Sequence, residues 1–410
     1  MKRVVISGIG AISPLGHDWA TVESHLREGR NAVQVMKEWA DFDGLNTQVG
    51  APAAPFSLPA HYNRKTLRSM GRVAVMATRA SELALEDAGL LGDALVKSGR
   101  MGISYGSSAG TPASIGDFGR MITEKSTEGI NATTYIKMMS HTAAVNIGVF
   151  FGITGRIITT SSACTSGSQG IGYAFESIQS GKQVAMLAGG AEELDATEAA
   201  VFDTLFATSV KHNDSPELTP RPFDADRDGL VLGEGACTLV LEELEHARAR
   251  GAKIYAEILA YGTNSDGRHV TQPNTETMMT AMRLALEGAG LEPSDIAYVN
   301  AHGTATDHGD VAESAATHAV FGERMPISSL KSYMGHTLGA CGALEVWMSL
   351  EMMRSGWFAP TLNLRTVDPR CAALDYIMGE GRRIEHDTIM SNNFAFGGIN
   401  TSLILRRWPS

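Results

Sequence analysis

The chain has 410 residues, of which 43% are hydrophobic and 19% charged, and its formal net charge is −11. This composition is typical of a globular protein, and a negative charge without a basic run argues against nucleic acid as a partner. The four cysteines are widely separated and form no C-x-x-C pair, so neither a zinc site nor a disulfide framework is indicated. We expect a reduced, cytoplasmic protein without a membrane span, because no run of about 18 apolar residues occurs.

The first elements predict alternating strands and helices. "RVVISGIG" predicts a strand followed by a glycine loop, and Gly8 and Gly10 are no dinucleotide fingerprint because Ser13 stands where the third glycine would be. A helix is predicted near residues 19 to 27, and "SMGRVAVMATRASELALEDAGL" predicts a second helix, closed by Gly89. "MGISYGSS" then predicts a strand and a loop.

A cysteine among small residues follows next, in "TTSSACTSGSQGIGYAF". Cys164 comes after a β-branched run and before a stretch in which Ile171, Phe175 and Ile178 recur at helical spacing, so it is predicted to lie on a strand-to-helix elbow. Such an elbow exposes a nucleophile, and a helix N-terminus favours thiolate over thiol. The alternative is a small buried cysteine packed under a helix.

The second part of the chain repeats the plan of the first. "IAYVNAHGTAT" corresponds to "MGISYGSS", "PISSLKSYMGHTLGACGALEVWMSLEMM" to the cysteine elbow, and "TIMSNNFAFGGIN" to "VAMLAGGAEE". Alternating strands and helices predict an α/β fold, and the repeat predicts two similar halves that share a core. We place these halves at residues 1–251 and 252–410.

Two histidines occupy comparable strand ends in the second half. His302 lies beside Gly303 in "NAHGTAT", and His336 follows Gly335 in "LKSYMGHTLGA". Each histidine alone could be a capping or core residue. With Cys164 they suggest one site, in which a thiolate forms an acyl-enzyme and two N–H groups hold the oxygen of a second thioester.

Six segments, taken in order, resemble the β-ketoacyl-acyl-carrier-protein synthases of the thiolase-fold superfamily, closest to the elongating type II enzymes. They are "SSACTSGSQGIGYA", "AGGAEE", "RPFDADRDGLVLGEGA", "VNAHGTATDHGD", "LKSYMGHTLGACGALE" and "SNNFAFGGIN". The resemblance implies two βαβαβαββ halves in a five-layered αβαβα core. It also implies decarboxylative condensation of a cysteine-bound acyl chain with a malonyl-carrier protein.

The resemblance implies the following roles. Cys164 is acylated, His302 and His336 bind the malonyl carbonyl, and Lys331 pairs with Glu345. The backbone N–H groups of Cys164 and Phe396 form the oxyanion hole, and Thr304, Thr306, Ala109, Phe394 and Phe396 contact substrate. On residue type alone, Lys331 and Glu345 would be exposed.

The resemblance also implies partners. An acyl carrier protein, which is strongly acidic, requires a basic face, and five residues are candidates, of which the first four stand at helical spacing: Arg64, Lys65, Arg68, Arg72 and Lys211. We expect a homodimer, with a heterodimer containing a chain-length-factor-like subunit as the alternative. No metal or organic cofactor is expected, although Asn300, Glu345, Ser391 and Asn392 resemble a structural monovalent-cation site of some relatives.

Three other functions are disfavoured by particular residues. A thiolase would use a second catalytic cysteine and another histidine pattern, and initiating type III synthases pair one histidine with an asparagine, so His336 argues against both. A chain-length-factor subunit lacks the cysteine, so Cys164 argues against it.

The acyl substrate is less defined by the sequence. Relatives carry a bulkier aliphatic residue in place of Ala109, so this residue predicts a less gated acyl pocket. Segments such as "MMSHTAAVNIGVFFG" are closer to synthases of aryl-polyene pigment pathways than to those of fatty-acid synthesis. The pathway is therefore fatty-acid, polyene or polyketide synthesis.

Overall fold

The computed structural model describes residues 1–409 and has the predicted mixed α/β architecture. The strands are β1 (Val4–Ile12), β2 (Gln34–Val35), β3 (Val49–Ala51), β4 (Met101–Gly106), β5 (Ile157–Thr160), β6 (Ala185–Glu192), β7 (Leu232–Gly233), β8 (Gly235–Glu243), β9 (Ala256–Ser265), β10 (Val299–Asn300), β11 (Pro326–Ser328), β12 (Trp357–Phe358), β13 (Asp375–Tyr376), β14 (Arg382–Arg383), β15 (Thr388–Ala395) and β16 (Ile399–Arg407).

The α-helices are α1 (Trp19–Arg27), α2 (Arg72–Asp87), α3 (Ala94–Lys97), α4 (Pro112–Glu124), α5 (Ala132–Met138), α6 (Thr142–Phe151), α7 (Ser166–Gln179), α8 (Ala196–Asp203), α9 (Leu244–Ala249), α10 (Thr275–Ala289), α11 (Asp307–Phe321), α12 (Lys331–Met334) and α13 (Cys341–Ser355). Short 3₁₀ turns include Thr66–Ser69, Ala163–Thr165 and Leu338–Ala340. Within residues 1–409, none of these helices combines the length and the apolar character needed to span a bilayer.

The sheet repeats one topology in two parts of the chain. The earlier strands have the order β5-β4-β6-β8-β1, and the later ones have the matching order β11-β10-β15-β16-β9, with β13 added at the edge. In each part the strand that comes last along the chain, β8 or β16, is antiparallel to both of its neighbours in the sheet. The strand correspondence expected from the sequence is therefore confirmed, whereas the boundary near Gly251, between α9 and β9, stays a prediction.

Helices α7 and α13 form the centre of the molecule. Both follow a short parallel strand, and they pack on each other and on strands of both parts. Helix α13 is buried continuously from Cys341 to Met353, so it has no solvent-facing side over this length. Helices α2 and α6 cover one outer face and α10 covers the other, which gives the five layers expected from the resemblance.

The first strand does not end in the expected glycine loop. β1 continues through Gly8 and Gly10 to Ile12, paired with β8. A Cβ atom at Gly10 would lie 2.1 Å from the carbonyl oxygen of Ala80 in α2. These glycines therefore allow the helix to approach the strand backbone closely, a function that glycine has in strands as well as in turns.

The basic residues of segment 64–72 stand at helical spacing in the sequence, but the segment does not form one continuous helix. Only the 3₁₀ turn Thr66–Ser69 forms, and Arg72 is the first residue of α2. The intervening Gly71 is extended, and a Cβ atom there would lie 2.1 Å from Oγ1 of Thr111, so the chain turns here against another segment. Arg64, Lys65 and Arg68 are exposed on this turn.

We predict that Gly10→Ala lowers the free energy of unfolding by about 3 kcal/mol, the upper end for overpacking, because the new methyl group would meet helix backbone. Gly116→Ala is the matched control, since nothing lies within 4 Å of a Cβ at this position in α4. The control should raise stability by about 0.5–1 kcal/mol. Urea unfolding followed by circular dichroism measures both, and a Gly10→Ala protein as stable as wild type would contradict the close strand–helix contact.

Candidate active site

Cys164 lies on the predicted elbow. β5 ends at Thr160, the cysteine is in the 3₁₀ turn Ala163–Thr165, and α7 begins at Ser166. Ala163 has a φ of 49°, a left-handed conformation that is rare outside glycine. The side chain of Cys164 is nearly buried, with 4% of its surface exposed, and strain at this turn is typical of functional sites.

His336 directly contacts the cysteine. Its Nε2 lies 3.0 Å from Sγ of Cys164. The backbone N–H of Leu338 donates to Nδ1 of the same ring at 3.3 Å. Because Nδ1 accepts this bond, the proton of the neutral ring is on Nε2, and His336 presents an N–H donor to the sulphur.

His302 is the second ring at the site. Its plane is nearly perpendicular to that of His336, at 88°, and the ring centroids are 5.1 Å apart. The Nζ of Lys331 lies 3.3 Å from its Nδ1. An ammonium can only donate, so His302 also carries its proton on Nε2. Both predicted histidines thus present the same kind of donor.

Lys331 is held by a buried carboxylate. It forms an ion pair with Glu345, and the two side chains are 1% and 0% exposed. Asn393 donates to the other oxygen of Glu345 at 2.7 Å. Burial lowers the pKa of Lys331, but the charge of Glu345, its hydrogen bond and the nearby Cys341 and Glu313 together raise that pKa above the usual value. The lysine is therefore a fixed cation beside His302.

The histidines are neutral. Burial, assisted by the charge of Lys331, lowers the pKa of His302 and of His336 well below the usual range. The ligand atoms of Cys164 and the two rings lie within 4.8 Å of one another, a spacing that a metal could also use. A metal-binding histidine normally donates from its other nitrogen; here those nitrogens accept hydrogen bonds, so the rings are set up as donors.

The thiol is less acidic than the helix N-terminus led us to expect. Burial raises the pKa of Cys164 to about 11, although the charge of Lys331 and hydrogen bonds from the backbone N–H groups of Phe396 and Cys164 act in the opposite direction. Desolvation of the thiolate outweighs the favourable helix end in this closed setting. The same two N–H groups are those expected to form the oxyanion hole.

A cavity of about 430 Å³ connects these groups to the surface. Its inner wall contains Cys164, His302 and His336, and its lining also includes Thr304, Thr306, Phe394 and Phe396. The hydroxyl groups of Thr304 and Thr306 are 2.9 Å apart. The structure therefore brings together the predicted nucleophile, both histidines and four of the five predicted substrate contacts.

Comparison with known proteins identifies the family. Residues 1–247 match the model of the β-ketoacyl synthase N-terminal domain, and residues 255–365 match that of the C-terminal domain. The chain belongs to the β-ketoacyl synthase family. It is 38% identical to 3-oxoacyl-[acyl-carrier-protein] synthase 1 of Escherichia coli (strain K12) over 99% of each chain.

Solved structures agree with the ketosynthase fold. A β-ketoacyl synthase from Burkholderia phymatum STM815 is 61% identical, and the match covers 100% of both chains with a TM-score of 0.98. The ishigamide ketosynthase/chain length factor is 31% identical, again over 100% of both chains, with a TM-score of 0.90. The resemblance to the thiolase-like fold is thus confirmed.

Ala109 is the predicted substrate contact that this ketosynthase cavity does not include among its lining residues. It lies in the loop after β4, and its backbone N–H donates to Glu192 at 3.2 Å. Glu192 also accepts hydrogen bonds from Ser107, Ser108 and Gly339. This buried carboxylate positions the loop, and the effect of Ala109 on chain length stays a prediction.

Other buried carboxylates were not assigned from sequence. Glu313 accepts the backbone N–H groups of His302 and Gly303, both at 2.7 Å. Asp310 accepts those of Thr304 and Ala305, both at 3.1 Å. They position the segment that carries the histidine and threonines. Asp310 is the last residue of "VNAHGTATDHGD", and Glu313 follows it three residues later. This helical spacing is the feature of the sequence from which the two carboxylates could be identified.

The expected cation site is partly assembled. Asn300 donates to Glu345 at 3.5 Å and to Ser391 at 3.2 Å. Among residues 1–409, no donor or acceptor pairs with the buried side-chain oxygens of Asn300 and Asn392. Such oxygens suit a hard monovalent cation, which would be structural here. The bound cation itself stays a prediction.

We predict that iodoacetamide alkylates Cys164 with a rate that rises about tenfold per pH unit from pH 7 to pH 9, because the thiolate is the nucleophile and the pKa is raised to about 11. Peptide mass spectrometry locates the label. The other three cysteines, Cys237, Cys341 and Cys371, are buried and do not line the cavity, so they should remain unmodified. A rate that levels off below pH 9 would contradict the raised pKa.

Proposed function

We propose that this chain is a 3-oxoacyl-[acyl-carrier-protein] synthase. It transfers an acyl group from a carrier protein to Cys164 and condenses that group with a malonyl-carrier protein, releasing CO₂. The observation that carries this proposal is the convergence of Nε2–H groups from His302 and His336 beside Cys164. A cysteine hydrolase needs one histidine as its base, whereas two neutral donors suit an enolate oxygen.

In the first half-reaction Cys164 attacks the carbonyl carbon of the donor thioester. The new C–S bond replaces that to the carrier, whose thiol leaves with the proton. Negative charge develops on the carbonyl oxygen, and we assign its stabilisation to the backbone N–H groups of Cys164 and Phe396, which also lower the pKa of the Cys164 thiol. Only 4% of the surface of Cys164 is exposed, which limits the access of water to the acyl-enzyme.

In the second half-reaction the malonyl group loses CO₂. The electron pair of the broken C–C bond moves into the thioester, and the enolate oxygen accepts hydrogen bonds from Nε2 of both histidines. The resulting carbanion attacks the acyl carbonyl, and the C–S bond to Cys164 breaks with its electron pair on the sulphur, which regains a proton from water. Lys331 keeps His302 in the donor tautomer without contacting the substrate.

The carrier protein would meet a smaller basic face than the sequence predicts. Arg64, Lys65 and Arg68 are exposed, as is Lys211. Arg72 instead forms a two-pronged ion pair with the buried carboxylate of Glu234. We therefore assign Arg72 a structural role and keep the other four as docking candidates.

A second copy of this chain is the partner that best covers the outer edge of the sheet. β5 is an edge strand paired only with β4 in the described sheet, and open edges tend to pair. Three apolar residues lie exposed on it or on the adjoining α6: Ile157 at 40%, Val149 at 77% and Val145 at 37%. We propose a homodimer through this edge, with a chain-length-factor-like subunit as the competing partner.

We predict that His302→Ala and His336→Ala each reduce malonyl-carrier decarboxylation by about 10²- to 10³-fold, the usual loss for one oxyanion donor. Self-acylation of Cys164 should persist in both variants, because it depends on backbone donors. His386→Ala, at an exposed position, is the control and should behave as wild type. Release of ¹⁴CO₂ and intact mass measure the two steps, and normal decarboxylation in either variant would refute the shared-donor assignment.

We predict that Val149→Asp with Ile157→Lys converts a dimer into a monomer, because charged groups at an apolar interface oppose its burial. Sedimentation velocity at micromolar concentration measures the mass. Val35→Asp, at another exposed apolar position, should leave the dimer intact. A wild-type chain that sediments as a monomer, and becomes dimeric only with a chain-length-factor subunit, would replace the homodimer by the heterodimer.

A further inference from the structure

Helix α8 ends in a turn that normally requires glycine. The N–H of Ala207 donates to the carbonyl of Phe202 at 3.0 Å, and the N–H of Phe206 donates to that of Asp203 at 2.9 Å. This pair of bonds is the Schellman C-cap, whose left-handed position is usually glycine. Here that position is Phe206, with a φ of 55°. A bulky aromatic residue is therefore held in a disfavoured backbone conformation.

The strained residue does not pack into the protein. The side chain of Phe206 is 92% exposed, so folding gains no burial that would offset its conformation. It lies at the mouth of the cavity that leads to Cys164. Strain retained without a packing benefit indicates a functional constraint.

Phe206 is one of three exposed apolar residues around this mouth. Leu205 is 45% exposed and Val270 is 69% exposed, and all three line the cavity. The carbonyl of Val270 accepts the N–H of Gly397 at 2.7 Å, which ties this side of the mouth to the loop of Phe396. We call Leu205, Phe206 and Val270 the apolar rim.

We propose that the apolar rim is a docking contact for the carrier protein, with Phe206 as its anchor. This inference rests on the proposed function, in which a carrier-bound arm reaches Cys164 through this mouth. The occupant is the apolar surface of the carrier next to its thioester arm, and Lys211, which is exposed five residues further along the chain, is available to its acidic surroundings. A chain of net charge −11 repels an acidic partner at long range, so an apolar anchor supplies contact that salt does not weaken.

The test is Phe206→Gly, assayed with octanoyl-loaded Escherichia coli acyl carrier protein and with octanoyl-N-acetylcysteamine. Glycine relieves the left-handed conformation, so the melting temperature should rise. KM for the carrier substrate should increase at least fivefold with kcat unchanged, and kcat/KM for the small thioester should stay within twofold of wild type. Phe42→Ala, which truncates a 52%-exposed phenylalanine elsewhere, is the control and should change neither constant.

Measurements at high ionic strength distinguish an apolar contact at Phe206 from a charge–charge contact at Lys211. At 0.5 M NaCl the KM effect of Phe206→Gly should persist, whereas that of Lys211→Glu should shrink, because exposed charges are screened. An unchanged KM for the carrier in a Phe206→Gly protein with raised melting temperature would overturn the proposal. Equal losses of kcat/KM with both thioesters would also overturn the proposal, because the rim would then contact the thioester arm and not the carrier protein. A change in the sedimentation coefficient would overturn it as well, because the rim would then contact a second copy of this chain.

The wild-type measurement keeps this inference separate from the proposed function. If carrier-bound octanoyl fails to add mass to Cys164 in the wild-type enzyme, the proposed function fails. If wild type is acylated and Phe206→Gly binds the carrier equally well, only the docking assignment fails.

Discussion

The buried ion pair between Lys331 and Glu345 is the interaction on which the site depends. Its members are 1% and 0% exposed, and removing either one would leave an uncompensated buried charge. The pair spans α12 and α13, and Asn393 of β15 donates to its carboxylate. It therefore joins the central helix to the sheet and also fixes a cation 3.3 Å from Nδ1 of His302. The same ion pair therefore contributes to the stability of the fold and fixes the tautomer of His302.

The sequence predicts the fold and the central groups because both follow from local patterns. The repeat places Cys164, His302 and His336 at comparable strand ends, and the structure brings them together. Lys331 and Glu345 are different, since lysine and glutamate are usually exposed; only the family resemblance identifies their pairing. The conformation of 64–72, the engagement of Arg72 by Glu234 and the raised pKa of Cys164 all depend on long-range packing, which no local pattern contains.

The site changes character from the inside outwards. Around Cys164 the donors are buried and their partners fixed, which suits electrostatic stabilisation without reorganisation. Further out, Thr304 and Thr306 are held by buried Asp310 through the backbone of their segment. At the mouth the side chains are apolar and exposed, and the backbone at Phe206 is strained. The reacting groups thus lie in the buried interior, and recognition of the carrier is assigned to the surface.

The most direct test of this account compares Lys331→Met with Lys331→Met combined with Glu345→Gln, measuring both thermal unfolding and malonyl-carrier decarboxylation. The single variant leaves Glu345 buried and unpaired and should lose about 3–5 kcal/mol of stability, whereas the double variant should recover most of it. Decarboxylation should stay impaired in both, because neither protein has a donor to Nδ1 of His302. If the double variant regains stability and also decarboxylates at the wild-type rate, Lys331 is only structural and the tautomer account is wrong.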